Sequence, residues 1–366
     1  MWIKKFFKYC WCFVILWDNK INRALLRLRH IVYSGPVKGL FFWVWVIAMN
    51  QNVKSPLTYE EQIRRLKEFH KLSIDDKEKA VQILKKINYY RLSGYGIGLT
   101  MPNDKDKYRQ GISLNHLYQL YRFDSELKNL LSLVIEQIEI QFRANISYHL
   151  AITYGALGYL ESKNFADRTD SKGNSVFEKI LEEFKSMVKR NKELPFVKHH
   201  INKYGGQFPI WVAVELFTFG NLTSLYSIMK DEDRQVIAKL YRTKDLYFNS
   251  WIRLLQEVRN LCAHYARLYN LILKTTPRLY KEYDFLTQDS KTKKTKIFQI
   301  LIVLKKVLDE EQWNDFYSKF SLLLNRYSKY IKLSFMNFPN NWKEILEKWF
   351  CFFFLKKAET NVNLCF

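Results

Sequence analysis

The feature that most constrains the fold is a long apolar periodicity between residues 113 and 154. Apolar side chains recur there every three or four positions, the spacing that gathers them on one face of an α-helix. Ser113 is a residue type that favours a helix start, and Gly155 is one that favours a helix end. The segment is therefore predicted to form one long helix, or two helices in line.

Shorter segments with the same spacing fill most of the remaining chain after residue 49. No run of alternating apolar and polar residues is long enough to demand a β-sheet. The sequence therefore predicts an all-α fold. Besides the long segment, the predicted helices begin near Thr58, Ser73, Pro209 and Pro339, and cover residues 177–190, 248–273, 297–308 and 313–331.

Positive charge is the second strong feature of the chain. The 366 residues include 59 Lys or Arg and 36 Asp or Glu, a formal net charge of +23 at pH 7. The excess is spread along the chain, and a field of this sign favours an anionic partner. Because 48% of the residues are hydrophobic, the chain can bury a sizeable core, which excludes a disordered or collagen-like protein.

Cysteine spacing and hydropathy bear on the compartment. The odd number and wide scatter of the cysteines argue against both a disulfide framework and a zinc site, so we expect a reducing, cytoplasmic location and no metal. The longest uninterrupted apolar run, residues 40–49, is about half the ~20 residues of a membrane-crossing helix, so no membrane span is predicted. The cysteines are Cys10, Cys12, Cys262, Cys351 and Cys365.

The first 48 residues differ from the rest of the chain. They hold five of the ten Trp and eight Lys or Arg, against a single acid, Asp18. One interpretation is a basic, aromatic anchor for a membrane surface. The interpretation that we favour is upstream sequence that is not native, with Met49 as the true first residue. A chain beginning at Met49 is then expected to fold and act like the full chain.

Familiar catalytic motifs are missing, but pairs of Arg and His recur. The sequence has no glycine-rich phosphate loop, no GxSxG and no HExxH. An Arg followed by four to six residues and then His, the pattern of the HEPN ribonucleases, occurs at six places and is weak by itself. In only one of them does Asn follow the Arg directly, in Arg259-Asn260-Leu-Cys-Ala-His264.

This motif falls in the helix predicted over residues 248–273. The face opposite its apolar stripe carries Arg253, Asn260, His264 and Arg267, with Arg259 at the edge. At ~100° per residue, Arg259 and His264 lie about 140° apart, so one helix cannot close them on a single phosphate. Two copies of the helix, packed across a symmetry axis, could form one groove, which predicts a homodimer.

The pair suits RNA chemistry without a metal. An imidazole can take the proton of a ribose 2′-OH while a guanidinium binds the phosphate and stabilises charge in the transition state. A plainer interpretation remains open, in which Arg259 and His264 belong to a solvated polar face or pair with Glu257.

Several segments together resemble a known family. Residues 57–62, 87–95, 209–220 and 258–270 resemble, in order and rough spacing, the Abi-type abortive-infection proteins of the AbiD/AbiF group. The resemblance covers about residues 52–345. It implies a helical HEPN-like bundle, a part in defence against phage, and Arg259 and His264 as a catalytic pair with Asn260 as companion.

Other residues are weaker candidates for RNA contact. Arg143 and His149, at the end of the long segment, could form a supporting phosphate site, although a helix-end Arg and a capping His are the commoner arrangement. Glu139, four residues before Arg143, could orient a catalytic Arg or form an i, i+4 pair. In the tyrosine-rich segment 89–95, predicted to be a loop, Arg91 and its neighbours could stack on unpaired bases or form a buried turn around Gly94.

These observations predict four regions: the extension 1–48, an N-terminal helical region 49–112, a HEPN-like core 113–275 and a C-terminal helical extension 276–366. The function expected is that of a metal-independent, homodimeric endoribonuclease in phage defence, with RNA as partner and no cofactor. Two alternatives stay open. The chain could bind RNA without cutting it, or act as a toxin restrained by a partner protein or a small regulatory RNA.

Overall fold

The computed structural model describes residues 55–288 and 294–347. Helices and connecting loops make up this part of the chain, with a few isolated bridges between single residues but no β-strand within the two ranges. The predicted all-α fold is confirmed. The extension 1–48, Met49 and the end of the chain after residue 347 lie outside the described residues.

The predicted segments appear as helices in the predicted order, and the structure adds several short helices that the sequence did not predict. The helices are α1 (Tyr59–Glu68), α2 (Lys77–Lys86), α3 (Tyr89–Ser93), α4 (Leu114–Tyr154), α5 (Val176–Arg190), α6 (Pro195–Tyr204), α7 (Ile210–Ala213), α8 (Phe219–Ile228), α9 (Asp231–Leu240), α10 (Asp245–Ala263), α11 (Phe285–Gln288), α12 (Ile297–Val307), α13 (Glu310–Tyr327) and α14 (Trp342–Glu347).

Helix α4 is the organising element of the fold. It is one continuous helix of 41 residues, not two in line. The Ser113 side chain accepts a hydrogen bond from the backbone N–H of His116 at 3.1 Å, and Gly155 ends the helix at φ +80°, where a glycine is favoured. The apolar face of α4 is fully buried, and helices α7, α8, α9, α10 and α13 pack against it.

Two predictions of local structure are wrong, the end of α10 and the conformation of the segment 89–96. Helix α10 ends at Ala263 and not at residue 273, because the backbone leaves the helical conformation at Tyr265, where φ is +54°. The segment 89–96 is not an open loop but the short helix α3 followed by a 3-10 turn, and Gly94 has an ordinary helical φ of −59°. In both places, contacts with α4 and with more distant segments outweigh the local sequence pattern.

Helix α10 lies in the interior along most of its length. Trp251, Leu255 and Val258 are almost completely buried, and α10 packs against α4, α8 and α9. Its C-terminal turn reaches the surface, where Ala263 and His264 are exposed. No helix in the described ranges is long and apolar enough to cross a membrane.

Candidate functional site

The C-terminus of α10 has the hydrogen bonds of a Schellman motif. The N–H of Ala266 donates to the carbonyl of Leu261 at 2.9 Å, and the N–H of Tyr265 donates to that of Cys262 at 3.0 Å. His264 is the capping residue, and its N–H donates to the Asn260 carbonyl at 3.0 Å. The motif thus fixes the backbone of His264 while its imidazole faces solvent.

A buried carboxylate holds the segment that follows this turn. Asp124, on α4, is completely buried and accepts hydrogen bonds from the N–H groups of Leu268 and Tyr269 at 3.0 and 2.7 Å. It also accepts one from the Tyr95 hydroxyl at 2.7 Å and forms an ion pair with Lys128 at 3.2 Å. A buried carboxylate needs partners of this kind to offset its lost hydration, so the contacts lock the chain beyond α10 to α4.

Sequence reasoning missed Asp124 and Lys128. A signal for them exists, because Asp124 lies four residues after Leu120 on the apolar face of α4, and Lys128 lies four residues after Asp124. A charged residue on such a face requires a buried partner, and the i, i+4 spacing identifies Lys128 as one partner of Asp124.

The early end of α10 changes the interpretation of Arg267. The sequence predicted Arg267 on the polar face of the helix, and that prediction is wrong because the helix ends before it. Its guanidinium donates to the carbonyl of Tyr269 at 2.7 Å, and a Cβ at position 94 would lie in ordinary contact with the Arg267 side chain, 3.7 Å from its Nε. Burial lowers the pKa of Arg267, and the nearby carboxylate of Asp124 partly offsets that effect. Arg267 therefore lies near the buried Asp124 and Tyr95, among the residues that hold the segment after α10 in place.

Arg259 is positioned by a carboxylate shared with a second arginine. Its Nε lies 3.4 Å from Oε2 of Glu139, whose Oε1 accepts from Arg143 at 3.0 Å. Glu139 is 8% exposed, while 42% of the Arg259 side chain is exposed. Both suggested roles of Glu139 are therefore present, the i, i+4 pair with Arg143 and a contact with Arg259. The two terminal amino groups of Arg259 have no hydrogen-bond partner within the described residues.

An open groove of about 550 Å³ runs along the polar face of α10. Asn260 and His264 line it, and Arg253 adds an exposed positive charge, whereas Arg259 is not in the lining. His264 thus lies in the groove, and Arg259 lies outside its lining. The other lining residues come from α8, from α10 and from the segment after it: Thr223, Ser224, Ser227, Gln256, Glu257, Leu261, Lys274 and Thr275.

Glu257 is occupied elsewhere. Its two carboxylate oxygens accept hydrogen bonds from the backbone N–H groups of Lys274 and Thr275, at 2.9 and 2.8 Å. No contact between Glu257 and the side chain of His264 or Arg259 is found within the described part of the chain. Glu257 therefore shapes the wall of the groove.

The cysteine inside the motif is not a reactive group. Burial raises the pKa of the Cys262 thiol to about 11, so the thiol stays protonated near neutral pH. A thiol is a poor nucleophile in that form. Across residues 55–288 and 294–347, no three His, Cys, Asp or Glu side chains come together in a way that could hold a metal ion.

The other predicted pair, Arg143 and His149, lies deeper. Arg143 donates to the carbonyls of Val214 and Phe217, the second at 3.0 Å, as well as to Glu139. His149 contacts Asp233 through Nε2 at 2.7 Å. The structure therefore brings Arg143, but not His149, into the network of the motif, and it buries the Arg143 guanidinium against protein groups.

Arg91 approaches the motif from a distant part of the sequence. One of its terminal amino groups donates to the carbonyl of Tyr265 at 2.7 Å. This contact joins α3 to the residue directly after His264. The structure thus places Arg91 beside the candidate site, together with Arg253, Arg259, Asn260 and His264.

Comparison with known proteins now adds the family. Residues 82–270, just over half of the chain, match the family described as Abi-like protein. The chain belongs to that family. Its membership associates this Abi-like protein with abortive infection, a defence against phage, and confirms the resemblance seen in the sequence. The matched region includes α3, α4 and the whole of α10 with its motif. No curated protein and no solved structure matches the chain.

Proposed function

We propose that this Abi-like protein is a metal-independent endoribonuclease that acts in abortive infection through Arg259, Asn260 and His264. The observation that carries the proposal is the state of the motif at the end of α10. The Schellman turn holds His264 exposed at the rim of a groove, and Glu139 holds Arg259 with much of its guanidinium accessible.

His264 is assigned the proton transfers. Its imidazole takes the proton of a ribose 2′-OH, and the 2′-oxygen then attacks the adjacent phosphorus as the bond to the 5′-oxygen breaks. The products are a 2′,3′-cyclic phosphate and a 5′-hydroxyl, and the leaving 5′-oxygen takes its proton from a second imidazole or from water. The step consumes no water and no cofactor.

Arg259 is assigned the phosphate. Its terminal amino groups can bind two phosphate oxygens, while Glu139 holds Nε and so fixes the direction of the guanidinium. Asn260 extends the polar lining of the groove beside it. The nearby Arg253 and Lys274 add positive charge, which raises the local concentration of a polyanion such as RNA.

A homodimer is part of the proposal. Arg259 and His264 lie on opposite edges of one polar face, about 140° apart by helical geometry. Two copies packed through the exposed Ala263 would bring two such pairs around one groove, and the second copy's His264 could protonate the leaving oxygen. The small side chain of Ala263 permits the close approach that this packing needs.

The test is cleavage of a labelled RNA by the purified full-length protein in EDTA. Fragments that end in a 2′,3′-cyclic phosphate are expected from unmodified RNA. No fragments are expected from the 2′-O-methyl RNA of the same sequence, which lacks the nucleophile. His264→Ala protein, purified in the same way, reports any contaminating nuclease.

The assay also separates the alternatives. A retarded band without fragments would show an RNA-binding protein that does not cut. Cleavage that appears only after a co-purified RNA or protein is removed would show a restrained toxin. Equal cleavage by wild-type and His264→Ala protein would overturn the assignment of His264.

A further inference from the structure

A tyrosine occupies the position of the Schellman turn where glycine is usual. Tyr265 is the first residue after the cap, and its φ of +54° lies in the left-handed region. An L-residue with a Cβ pays a conformational cost there that glycine does not. The ring gains no burial in return, since 72% of Tyr265 is exposed. Strain of this kind is retained mainly at functional sites.

A second exposed tyrosine precedes the cation that contacts this turn. Tyr90, on α3, is 76% exposed, and it precedes Arg91, which donates to the Tyr265 carbonyl at 2.7 Å. One guanidinium thus ties the backbone of Tyr265 to the short helix that carries Tyr90. Tyr90 and Tyr265 are the most exposed aromatic side chains among those of the described residues.

We propose that Tyr265, Tyr90 and Arg91 form a seat for an unpaired RNA nucleotide next to the scissile phosphate. An aromatic ring stacks on any base that is free of a duplex, and the exposed guanidinium of Arg91 binds the adjoining phosphate. Because Tyr265 directly follows His264, a base held there places the neighbouring ribose at the imidazole. The inference rests on the proposed function and narrows its substrate class to single-stranded RNA.

Two properties of Tyr265 can be separated by substitution. Tyr265→Gly removes the ring and relieves the left-handed backbone, whereas Tyr265→Leu removes the aromatic ring but keeps the Cβ. Tyr265→Phe keeps an aromatic face. Stacking of one base on an aromatic side chain corresponds to about a 5- to 150-fold change in affinity.

The experiment measures binding of a fluorescent, unstructured RNA oligonucleotide and of the duplex that it forms with its complement. All proteins carry His264→Ala, so cleavage does not interfere. We expect Tyr265→Gly and Tyr265→Leu to weaken single-strand binding about 5- to 150-fold, with little change for the duplex and near-parental binding by Tyr265→Phe. Tyr148→Leu is the matched control, because Tyr148 is 71% exposed on α4, and it should bind like the parent.

Thermal unfolding gives an independent measurement, because Tyr265→Gly is expected to increase stability while it decreases RNA affinity. Tyr265→Gly should raise the melting temperature by about 1–2 °C although it weakens RNA binding, and Tyr265→Leu should not raise it. A protein that is more stable but binds less RNA has not lost binding through misfolding.

Three results would overturn the seat. They are parental single-strand affinity in Tyr265→Leu, an equal loss for single strand and duplex, and the absence of RNA binding by the His264→Ala parent. The seat and the nuclease fail separately, because cleavage is measured on wild-type protein. Wild-type protein that does not cut, combined with a Tyr265-dependent preference for single strands, would keep the seat and remove the catalytic assignment.

Discussion

Two of the Arg and His pairs, Arg143 with His149 and Arg259 with His264, have nearly the same spacing and very different surroundings. At the end of α4, Arg143 is 15% exposed, and its guanidinium contacts Glu139 and two backbone carbonyls. His149 contacts Asp233. At the end of α10, Arg259 is 42% exposed and His264 faces solvent. Two similar patterns in the sequence thus give a structural pair at one site and an accessible pair at the other.

The difference teaches that the candidate catalytic pair is marked by side chains that are not engaged by other protein groups, and not by the spacing of the two residues. The two pairs also cooperate, since Glu139 binds both arginines at once. Arg143 neutralises and orients the carboxylate that in turn orients Arg259. Arg143, but not His149, therefore supports the position of Arg259.

The largest contrast is expected between the two histidines. His264→Ala should lower the rate of RNA cleavage by about 10²- to 10⁴-fold, the usual effect of losing a general acid or base, with little change in stability. His149→Ala should leave cleavage per folded molecule within a few-fold of wild type, while the loss of its contact with Asp233 lowers the melting temperature. Cleavage time courses and thermal unfolding of both variants make the test, and equal effects on cleavage would erase the contrast.

A loss of RNA cleavage comparable to that of His264→Ala is expected when the proposed dimer is disrupted. Ala263→Glu should produce monomers that do not cleave RNA, because two carboxylates would meet in the proposed interface. Ala144→Glu is the counterpart beside Arg143, on an exposed position of α4, and it should remain dimeric and active. Light scattering gives the mass. A monomeric Ala263→Glu protein that still cuts RNA would show that one chain forms a complete site.

The two arginines should differ most in stability. Arg143→Met leaves two buried carbonyls without a partner and the Glu139 carboxylate with only the half-exposed Arg259, so the free energy of unfolding should fall by about 3 kcal/mol. Arg259→Met removes a half-exposed ion pair, for which a loss of about 0–1 kcal/mol is usual. Urea unfolding measures both values, and a larger loss for Arg259 would reverse the assigned roles.

The smallest effect concerns the geometry of the phosphate contact. Arg259→Lys keeps the charge but loses the two-pronged guanidinium, so cleavage should fall by about 10-fold with RNA affinity nearly retained. Arg259→Ala should lower both quantities. If the Lys and Ala variants were equally impaired in affinity, charge would not be the means by which Arg259 holds RNA.

Much of the fold could be predicted from periodicity and helix-ending residues. The helix from Leu114 to Tyr154 follows the apolar spacing, with Ser113 and Gly155 at its ends. The end of α10 could not be predicted in this way. Apolar residues continue after Ala263 at helical spacing, but Asp124 takes the N–H groups of Leu268 and Tyr269 from across the fold. A local pattern carries no information about such a partner.

The candidate site divides along the same line. The motif Arg259-Asn260 with His264 and the 140° between its ends follow from spacing alone, and the family match agrees with the segments that resemble Abi-type proteins. The sequence suggested both roles of Glu139 without deciding between them. It gave Arg91 as a candidate, but not its position beside Tyr265.

By itself, the sequence determined the all-helical fold, the long central helix α4 and the place of the Arg259 and His264 motif on a different, later helix, because these depend on residues within a few turns of one another. The tertiary structure decided which Arg and His pair stays accessible, where α10 stops and which distant residues reach the motif. Those outcomes depend on contacts such as Asp124 with Tyr269 and Arg91 with Tyr265, which join residues more than a hundred positions apart. Burial and pairing of charges are properties of the packed molecule, and helical spacing is a property of the chain.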